Sequence, residues 1–321
     1  MNNPISTLLK KVKYNFIYIL FKLNKFYNLK QVSSELSSNN LFIIGSGRNG
    51  STLLAMLLNR HENIFLPPEQ YALPYSLTDW QISFPKKKWN HYYKKQLEAY
   101  LKKNQNWSLT KKDEIYLDEI LSNLPKNKQN PVELFNIIFH YYATHIAGKT
   151  NITYVGDHSP LTTMFYPYLF YYFSKAHYIF LIRHPFDVVL SYQKLKGNPA
   201  SIPENACKKW NNSIKAYNYL KSKNHPVLLL KYEELVTNTE EKINEILDFL
   251  NIEKQNLLIT PSTEENDLLG AKDIPYHKNL YKPINNTSIG KWKDSLDKNI
   301  INKITPLVKK NAQIFGYNLK N

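Results

Sequence analysis

The 321-residue sequence is poor in cysteine, glycine and acidic side chains. It has one cysteine, Cys207, nine glycines, and 26 Asp and Glu against 42 Lys and Arg. A lone cysteine forms no internal disulfide, which excludes a disulfide-stabilised scaffold and favours a reducing compartment. The net charge of +16 predicts an anionic partner: nucleic acid, a membrane surface or a small anionic ligand.

The sequence also lacks a long apolar run. The run at residues 16–21 is far shorter than the roughly 20 apolar residues that span a bilayer, and no signal-peptide cleavage site follows it. Residues 10–30 are basic and aromatic. Segment 1–40 is therefore expected to be helical, lying either on an anionic membrane surface or on the domain behind it. We expect a cytoplasmic protein, with peripheral membrane contact through residues 10–30 left open.

Two further signatures are missing. No group of His, Cys, Asp and Glu has metal-ligand spacing, so no metal is expected. No known nucleic-acid-binding module occurs, so the charge is not assigned to DNA or RNA. A small anionic ligand is the simplest explanation of the basic composition that remains.

Short apolar runs alternate with helical patterns along the chain. Runs without polar alternation predict buried strands at residues 41–44, 63–66, 152–155, 177–182 and 227–230. Helical patterns cover residues 53–60, 161–173, 185–196, 203–223 and 239–250. This alternation predicts an α/β fold with a central parallel sheet flanked by helices. Residues 80–150 carry Trp, Tyr and Lys without a strand signal, and predict a helical insert in a domain spanning 41–321.

The most informative motif lies at residues 41–58. A buried strand runs into a loop and then a helix, with the loop sequence Gly45-Ser46-Gly47-Arg48-Asn49-Gly50-Ser51-Thr52. Glycines bring backbone N–H groups near a ligand, and a helix N-terminus attracts phosphate or sulfate. Gly45 and Gly50 have the spacing of the nucleotide-triphosphatase P-loop, but Ser51 stands at the lysine position and Arg48 supplies a cation instead. The pattern predicts an anion-binding loop and weakens an ATPase interpretation.

The loop resembles the sulfonate-binding loop of the sulfotransferases, which reads roughly G-x-x-R-S-G-T-T-L-L. These enzymes have a three-layer, P-loop-like fold and use the cofactor 3′-phosphoadenosine 5′-phosphosulfate (PAPS), with no metal required. The resemblance implies that the amide of Asn49 donates where the family has a hydroxyl. It assigns cofactor binding in this loop to Gly47, Arg48, Asn49, Gly50, Ser51 and Thr52.

A second segment, residues 177–192, is similar to the family's strand, arginine and following helix. The resemblance assigns Arg183 and Ser191 to the 3′-phosphate of the cofactor, and a forked guanidinium suits a phosphate dianion. Phe186 replaces a second arginine of the family. The alternative for Arg183 is a salt bridge, for example to Asp187.

Segments nearer the C-terminus are also similar to the family. Tyr232, in a strand-then-Y-E-x-L pattern, is expected near the cofactor, with a core tyrosine as the alternative. Residues 281–292 resemble the family's closing loop, which implies that Lys282 contacts the nucleotide and makes Lys291 a weaker candidate. The tyrosylprotein and carbohydrate sulfotransferase branch looks most similar.

Sulfuryl transfer needs a base for the acceptor hydroxyl, stabilisation of the leaving group, and in-line positioning. Resemblance to the tyrosylprotein branch makes Glu69, after the second strand, the predicted base. His158 stands where family members have a stabilising lysine, so it is a candidate stabiliser or second base. Asp157 could orient His158 or compete as base. Arg48 is expected to hold the phosphosulfate and to neutralise charge as the S–O bond breaks.

The predicted function is therefore transfer of a sulfuryl group from PAPS to the hydroxyl of an acceptor. The acceptor is a glycan, a lipid or another molecule, and the 80–150 insert is expected on the acceptor side. Two alternatives remain open. A P-loop small-molecule kinase would need a magnesium site and a terminal-phosphate lysine, and a non-catalytic nucleotide- or membrane-binding protein would not need Glu69 or His158.

Overall fold

The computed structural model describes residues 39–83, 88–102, 107, 109–195, 197–255 and 283–320. Its sheet has five parallel strands in the order β2-β3-β1-β4-β5. The strands are β1 Asn40–Ile44, β2 Ile64–Phe65, β3 Tyr154–Asp157, β4 His177–Ile182 and β5 Val227–Lys231. The predicted α/β fold with a central parallel sheet is confirmed.

Helices cover both faces of this sheet. In chain order they are α1 Ser51–Leu58, α2 Ala72–Ser83, α3 Trp89–Lys102, α4 Lys111–Ser122, α5 Pro131–Tyr141, α6 Pro160–Met164, α7 Tyr166–Tyr172, α8 Pro185–Gln193, α9 Pro203–Ser222, α10 Tyr232–Thr237, α11 Thr239–Leu250, α12 Trp292–Ser295 and α13 Lys298–Ile314. One turn of π-helix, Tyr142–Ile146, extends α5.

The central strands β1 and β4 are mostly apolar because both of their faces are buried. Along β1, Phe42 and Ile44 join the core under α5, α7, α9 and α13. The alternate residues Leu41 and Ile43 join the core under α1, α10 and α11. Side chains alternate between the faces of a strand, so each continuous apolar run supplies both cores.

Helices α2 to α5 form the insert between β2 and β3. Three of its tryptophans, Trp80, Trp89 and Trp107, are buried, so they pack the insert rather than line its surface. The indole of Trp107 donates to the carbonyl of Pro68, 3.0 Å away. The insert therefore supports the turn that precedes Glu69.

Several element boundaries differ from the predicted ones. β3 begins two residues later than expected and runs through Gly156, where an added Cβ would lie 1.5 Å from the Leu41 carbonyl oxygen. The single helix predicted at 161–173 is two helices that meet at Phe165, because Pro167 fits only the first turn of a helix. The predicted segment at 10–30 lies outside the described residues.

Candidate active site

The chain turns from β1 into α1 through residues 45–50, which the sequence marks as an anion-binding loop. Gly47 and Gly50 have φ values of 76° and 97°, in the left-handed region that favours glycine. A Cβ at Gly47 would lie 2.4 Å from the Tyr192 hydroxyl, and one at Gly50 would lie 2.5 Å from the Tyr232 ring. Both positions therefore require glycine, and the loop backbone is held against α8 and α10.

The loop ends at the N-terminus of α1. Gly50 is the N-cap residue, and no side chain caps the helix. The first amides of a helix lack intrahelical acceptors and carry a partial positive charge. Ser51 and Thr52 begin the helix, and Ser51 is almost fully buried. This junction fits a phosphate or sulfate group.

Arg48 occupies the loop in a left-handed conformation, with φ 57°, which is uncommon for a non-glycine residue. Its Nε donates to the Ser191 hydroxyl at 3.0 Å. Its carbonyl oxygen accepts a hydrogen bond from Arg183 at 3.2 Å. Hydrogen bonds thus connect Arg48 with Ser191 and with Arg183, although the sequence predicts these residues from two separate segments.

The side chain of Asn49 has a structural part in the loop. Its amide donates to the Leu181 carbonyl at 2.6 Å, and the residue is fully buried. The amide thus ties the loop to β4, and the predicted donation of Asn49 to the ligand stays a prediction.

Arg183 leaves the end of β4 and faces the loop. Its guanidinium lies 4.4 Å from the centre of the Tyr232 ring and donates to the Ser288 carbonyl at 2.6 Å. Its Nε is buried and has no hydrogen-bond partner among the described residues, so a donor remains for a ligand. The alternative salt bridge to Asp187 is not formed, since that carboxylate accepts the backbone N–H groups that flank Lys291, at 2.8 and 3.0 Å.

Tyr232 is a buried ring held between Gly50 and Arg183. Stacking of a guanidinium on an aromatic face fixes the orientation of the cation. Tyr232 is thus a core residue whose ring also orients Arg183. Its expected position near the cofactor stays a prediction.

Glu69 follows β2 and reaches the same edge of the sheet. Its side chain is 29% exposed. Burial, followed by the nearby charge of Asp157, raises its pKa to about 7, while Arg48 and Lys209 act in the opposite direction. A carboxyl group with a pKa near neutrality can accept a proton efficiently at the pH at which it works.

His158 lies behind Glu69, with its Nδ1 4.0 Å from the Glu69 carboxylate. Its Nε2 is 3.1 Å from the Pro67 carbonyl oxygen, and the residue is buried. The Asp157 carboxylate accepts from Ser159 at 2.6 Å and from Thr162 at 2.5 Å, and so fixes the turn into α6. The two roles expected of Asp157, orienting His158 or competing as base, stay predictions.

Two kinds of feature were not found among the described residues. No group of three or more His, Cys, Asp and Glu is arranged to hold a metal ion there. In the same part of the chain, no helix is long and apolar enough to cross a membrane.

The comparison with protein-family models decides the family. A model described as "Sulfotransferase family" matches residues 40–256, more than half of the chain and nearly all of the site described above. The chain belongs to the sulfotransferase family.

Solved structures agree with this assignment at the level of the fold. The sulfotransferase domain of the olefin synthase from Synechococcus PCC 7002 is 23% identical, with a TM-score of 0.61 over 88% of this chain and 97% of its own. The sulfotransferase domain from the curacin biosynthetic pathway is 22% identical, with a TM-score of 0.55 over 87% of this chain and 98% of its own. No curated protein matches.

Some predicted residues of this sulfotransferase lie outside the site as described. Lys282 falls outside the described residues, so its predicted nucleotide contact stays a prediction. Lys291 is described and exposed, at the N-cap of α12. The similarity to the tyrosylprotein and carbohydrate branch also stays a prediction, because the family model matches the family as a whole.

The sequence interpretation missed Lys209 of α9. Its Nζ donates to the Tyr192 hydroxyl at 2.9 Å, and Tyr192 in turn donates to the Ser46 carbonyl of the loop at 2.7 Å. One feature of the sequence could have indicated Lys209: it lies three residues after Ala206 and immediately before Trp210, both of which are buried. On a helix this spacing puts a lysine at the border of the buried face.

Proposed function

We propose that this sulfotransferase transfers a sulfuryl group from PAPS to the hydroxyl of an acceptor. The observation that carries the proposal is the bonded group of Arg48, Arg183 and Ser191 beside the glycine loop. Glu69 is near enough to this group that Arg48 lowers its pKa. Anion-binding cations and a base with a near-neutral pKa are what this reaction requires.

The chain offers two regions for the donor's anionic groups. Amides of the loop and of the first turn of α1 suit the phosphosulfate, with Arg48 beside them. Arg183, oriented by Tyr232 and carrying a buried unpaired Nε, suits the 3′-phosphate. Ser191 holds the Arg48 side chain in this arrangement, and it is the second residue that we assign to the 3′-phosphate.

When bound, PAPS supplies an activated sulfuryl group, which joins the acceptor oxygen while its bonding electron pair to the donor stays on the phosphate oxygen. Glu69 takes the proton of the acceptor hydroxyl. His158 has its Nδ1 4.0 Å from the carboxylate and, when protonated, stabilises the ionised, proton-accepting form. Arg48 offsets the negative charge at the loop, where no P-loop lysine is present.

The acceptor hydroxyl must approach Glu69 from the solvent side of its turn. Two exposed tyrosines follow Glu69 closely in the chain: Tyr71, 51% exposed, just before α2, and Tyr75, 38% exposed, in its first turn. Their rings offer flat surfaces for a sugar ring or an apolar chain. We therefore place the acceptor, whether glycan, lipid or another hydroxyl compound, against the start of the insert.

Thermal denaturation with adenosine 3′,5′-bisphosphate (PAP) and, separately, with ATP plus magnesium tests the donor site. A ligand at about 100 times its Kd stabilises the folded state by roughly 2.7 kcal/mol, a Tm rise of about 5 °C for a chain of this size. We expect this rise with PAP alone. A rise only with ATP and magnesium would favour the kinase alternative and overturn the proposal.

Variants of the two arginines make the same test specific. Arg48→Ala and Arg183→Ala should each abolish the Tm rise with PAP. Lys126→Ala is the matched control, because Lys126 is an exposed cation in the insert. Normal PAP binding by Arg183→Ala would refute the assignment of the 3′-phosphate to Arg183.

A further inference from the structure

Lys209 is a cation of the site that no sequence motif marks. It lies on α9, and its Nζ reaches across to α8, where it donates to the Tyr192 hydroxyl and lies 4.9 Å from the centre of that ring. The same hydroxyl donates to the carbonyl of Ser46. The Lys209 ammonium is therefore two hydrogen bonds away from the anion-binding loop.

The charge of Lys209 is incompletely balanced by the chain. The side chain is partly buried, and its one hydrogen bond within the described residues goes to a neutral hydroxyl. Burial lowers its pKa, and among the described residues the charge of Glu69 raises it again. Because the pKa of Glu69 is itself about 7, that carboxyl carries only part of a negative charge near neutral pH. An ammonium has three donors, so two remain for an anion.

The neighbours of Lys209 indicate which anion it would bind. The charges that act on Glu69 are those of Asp157, Arg48 and Lys209, and Arg183 is not among them. Lys209 and Arg48 thus both lie near the predicted base. Arg183 is held elsewhere, between Tyr232 and Ser288.

We propose that Lys209 binds the sulfuryl group of the donor, together with Arg48, and stabilises its negative charge during transfer. The proposal rests on the proposed function. In P-loop enzymes a lysine of the loop contacts the phosphates, but Ser51 occupies that position here. Under the proposal, Lys209 of α9 supplies the lysine instead. A flexible stem lets this point charge follow the sulfuryl oxygens more readily than a fixed guanidinium could.

The test compares two ligands that differ only in the sulfuryl group. PAPS and PAP are titrated separately into the full chain by calorimetry, without acceptor, in the wild type, Lys209→Met and Lys208→Met. Lys208 is the matched control because it is the exposed neighbour on the same helix. We expect Lys209→Met to bind PAP within about threefold of the wild type and PAPS about tenfold more weakly. In a separate assay with an acceptor found by screening, its kcat should be about 100-fold lower. Lys208→Met should match the wild type with both ligands.

A positioning role through Tyr192 would give a different result. If Lys209 only supported the loop, Lys209→Met would weaken PAP and PAPS equally, and Tyr192→Phe would do the same; this outcome overturns the proposal. Unchanged PAPS affinity and turnover in Lys209→Met would also overturn it. If the wild type itself bound neither PAP nor PAPS, the proposed function would fail instead, so the two failures are distinguishable. PAP binding by Lys209→Met also verifies that this variant is folded.

Discussion

At the scale of single residues, Glu69 has an environment unlike that of an ordinary surface carboxylate. Its partial burial and the charge of Asp157 favour the protonated form, whereas Arg48 and Lys209 favour the ionised form. His158 lies 4.0 Å away and adds a positive charge only when it is protonated. These opposing effects leave a carboxyl that can both accept a proton and release it near neutral pH.

The first prediction concerns Glu69→Gln. In the wild type, kcat/KM should rise with pH through an apparent pKa of about 7, because the base must be ionised to accept the acceptor's proton. The variant should lose at least about 100-fold in kcat and lose this pH limb, while its affinity for PAP is unchanged. Steady-state kinetics from pH 5.5 to 8.5 and calorimetric titration with PAP measure these effects. Full activity in the variant would move the base to His158 or Asp157.

The same raised pKa has a consequence for folding stability. The pKa of Glu69 is about 7 in the folded state against 4.5 for an ordinary glutamate, so the folded state binds the proton more tightly. The stabilisation of the folded state by protonated Glu69 is therefore fully present below about pH 4.5 and is lost as pH rises through 7. Glu69→Gln should accordingly gain stability relative to the wild type at pH 8 but not at pH 4.5, by at most about 3 kcal/mol.

At the scale of elements, one lysine stabilises the connection from α1 to β2 through hydrogen bonds. The Nζ of Lys149 donates to the carbonyls of Asn59, His61 and Ile64 at 2.5 to 2.6 Å. The first two carbonyls follow the C-terminal end of α1, where a positive charge is favourable. Burial lowers the pKa of Lys149 to about 8, so the ammonium is still mostly protonated at pH 7.

The second prediction follows from these bonds. Lys149→Met keeps the length of the side chain but leaves three carbonyl oxygens without their donor. We expect a loss of about 2–3 kcal/mol of unfolding free energy, measured by urea denaturation at pH 7. Lys126→Met, at an exposed position of the insert, should change stability by less than about 0.5 kcal/mol. Equal stability of the two variants would show that water replaces the ammonium.

The elements that sequence alone predicts well are those with the strongest apolar runs. β4 lies where it was predicted, and β1 differs by one residue, because these central strands are buried on both faces. β2 pairs over only two residues and β3 starts late, since pairing with a neighbouring strand, which local sequence does not encode, decides where each begins. Lys209 was missed for a similar reason: its relation to the loop depends on how α9 packs against α8.

The exposed rings at the start of α2 give the third prediction. Tyr71→Ala and Tyr75→Ala should each raise the KM for an acceptor found by screening about five- to tenfold, since loss of ring contact costs roughly 1 kcal/mol. PAP affinity should not change. Tyr116→Ala is the control, because Tyr116 is a 45% exposed tyrosine on α4, elsewhere on the insert. A larger effect of Tyr116→Ala than of Tyr71→Ala would place the acceptor on another face.

At the scale of the whole molecule, the excess of 42 basic over 26 acidic residues has a physical role in the proposed function. Both the proposed donor and its product are small polyanions. A positive molecule raises their local concentration before any specific contact forms, and the proposed site with Arg48, Arg183 and Lys209 adds positive charge locally. The net charge therefore needs neither a nucleic acid nor a membrane as its partner.

The last prediction tests this role of the charge. The association rate constant of PAP, measured by stopped-flow fluorescence, should fall about tenfold between 20 and 300 mM NaCl, because salt screens the long-range attraction. The dissociation rate constant should change much less, since it reflects short-range contacts with the arginines. Adenosine 5′-monophosphate carries fewer charges and should show a weaker dependence on salt. An association rate that is the same for both ligands at every salt concentration would mean that the +16 charge does not guide the donor to its site and must serve another anionic partner.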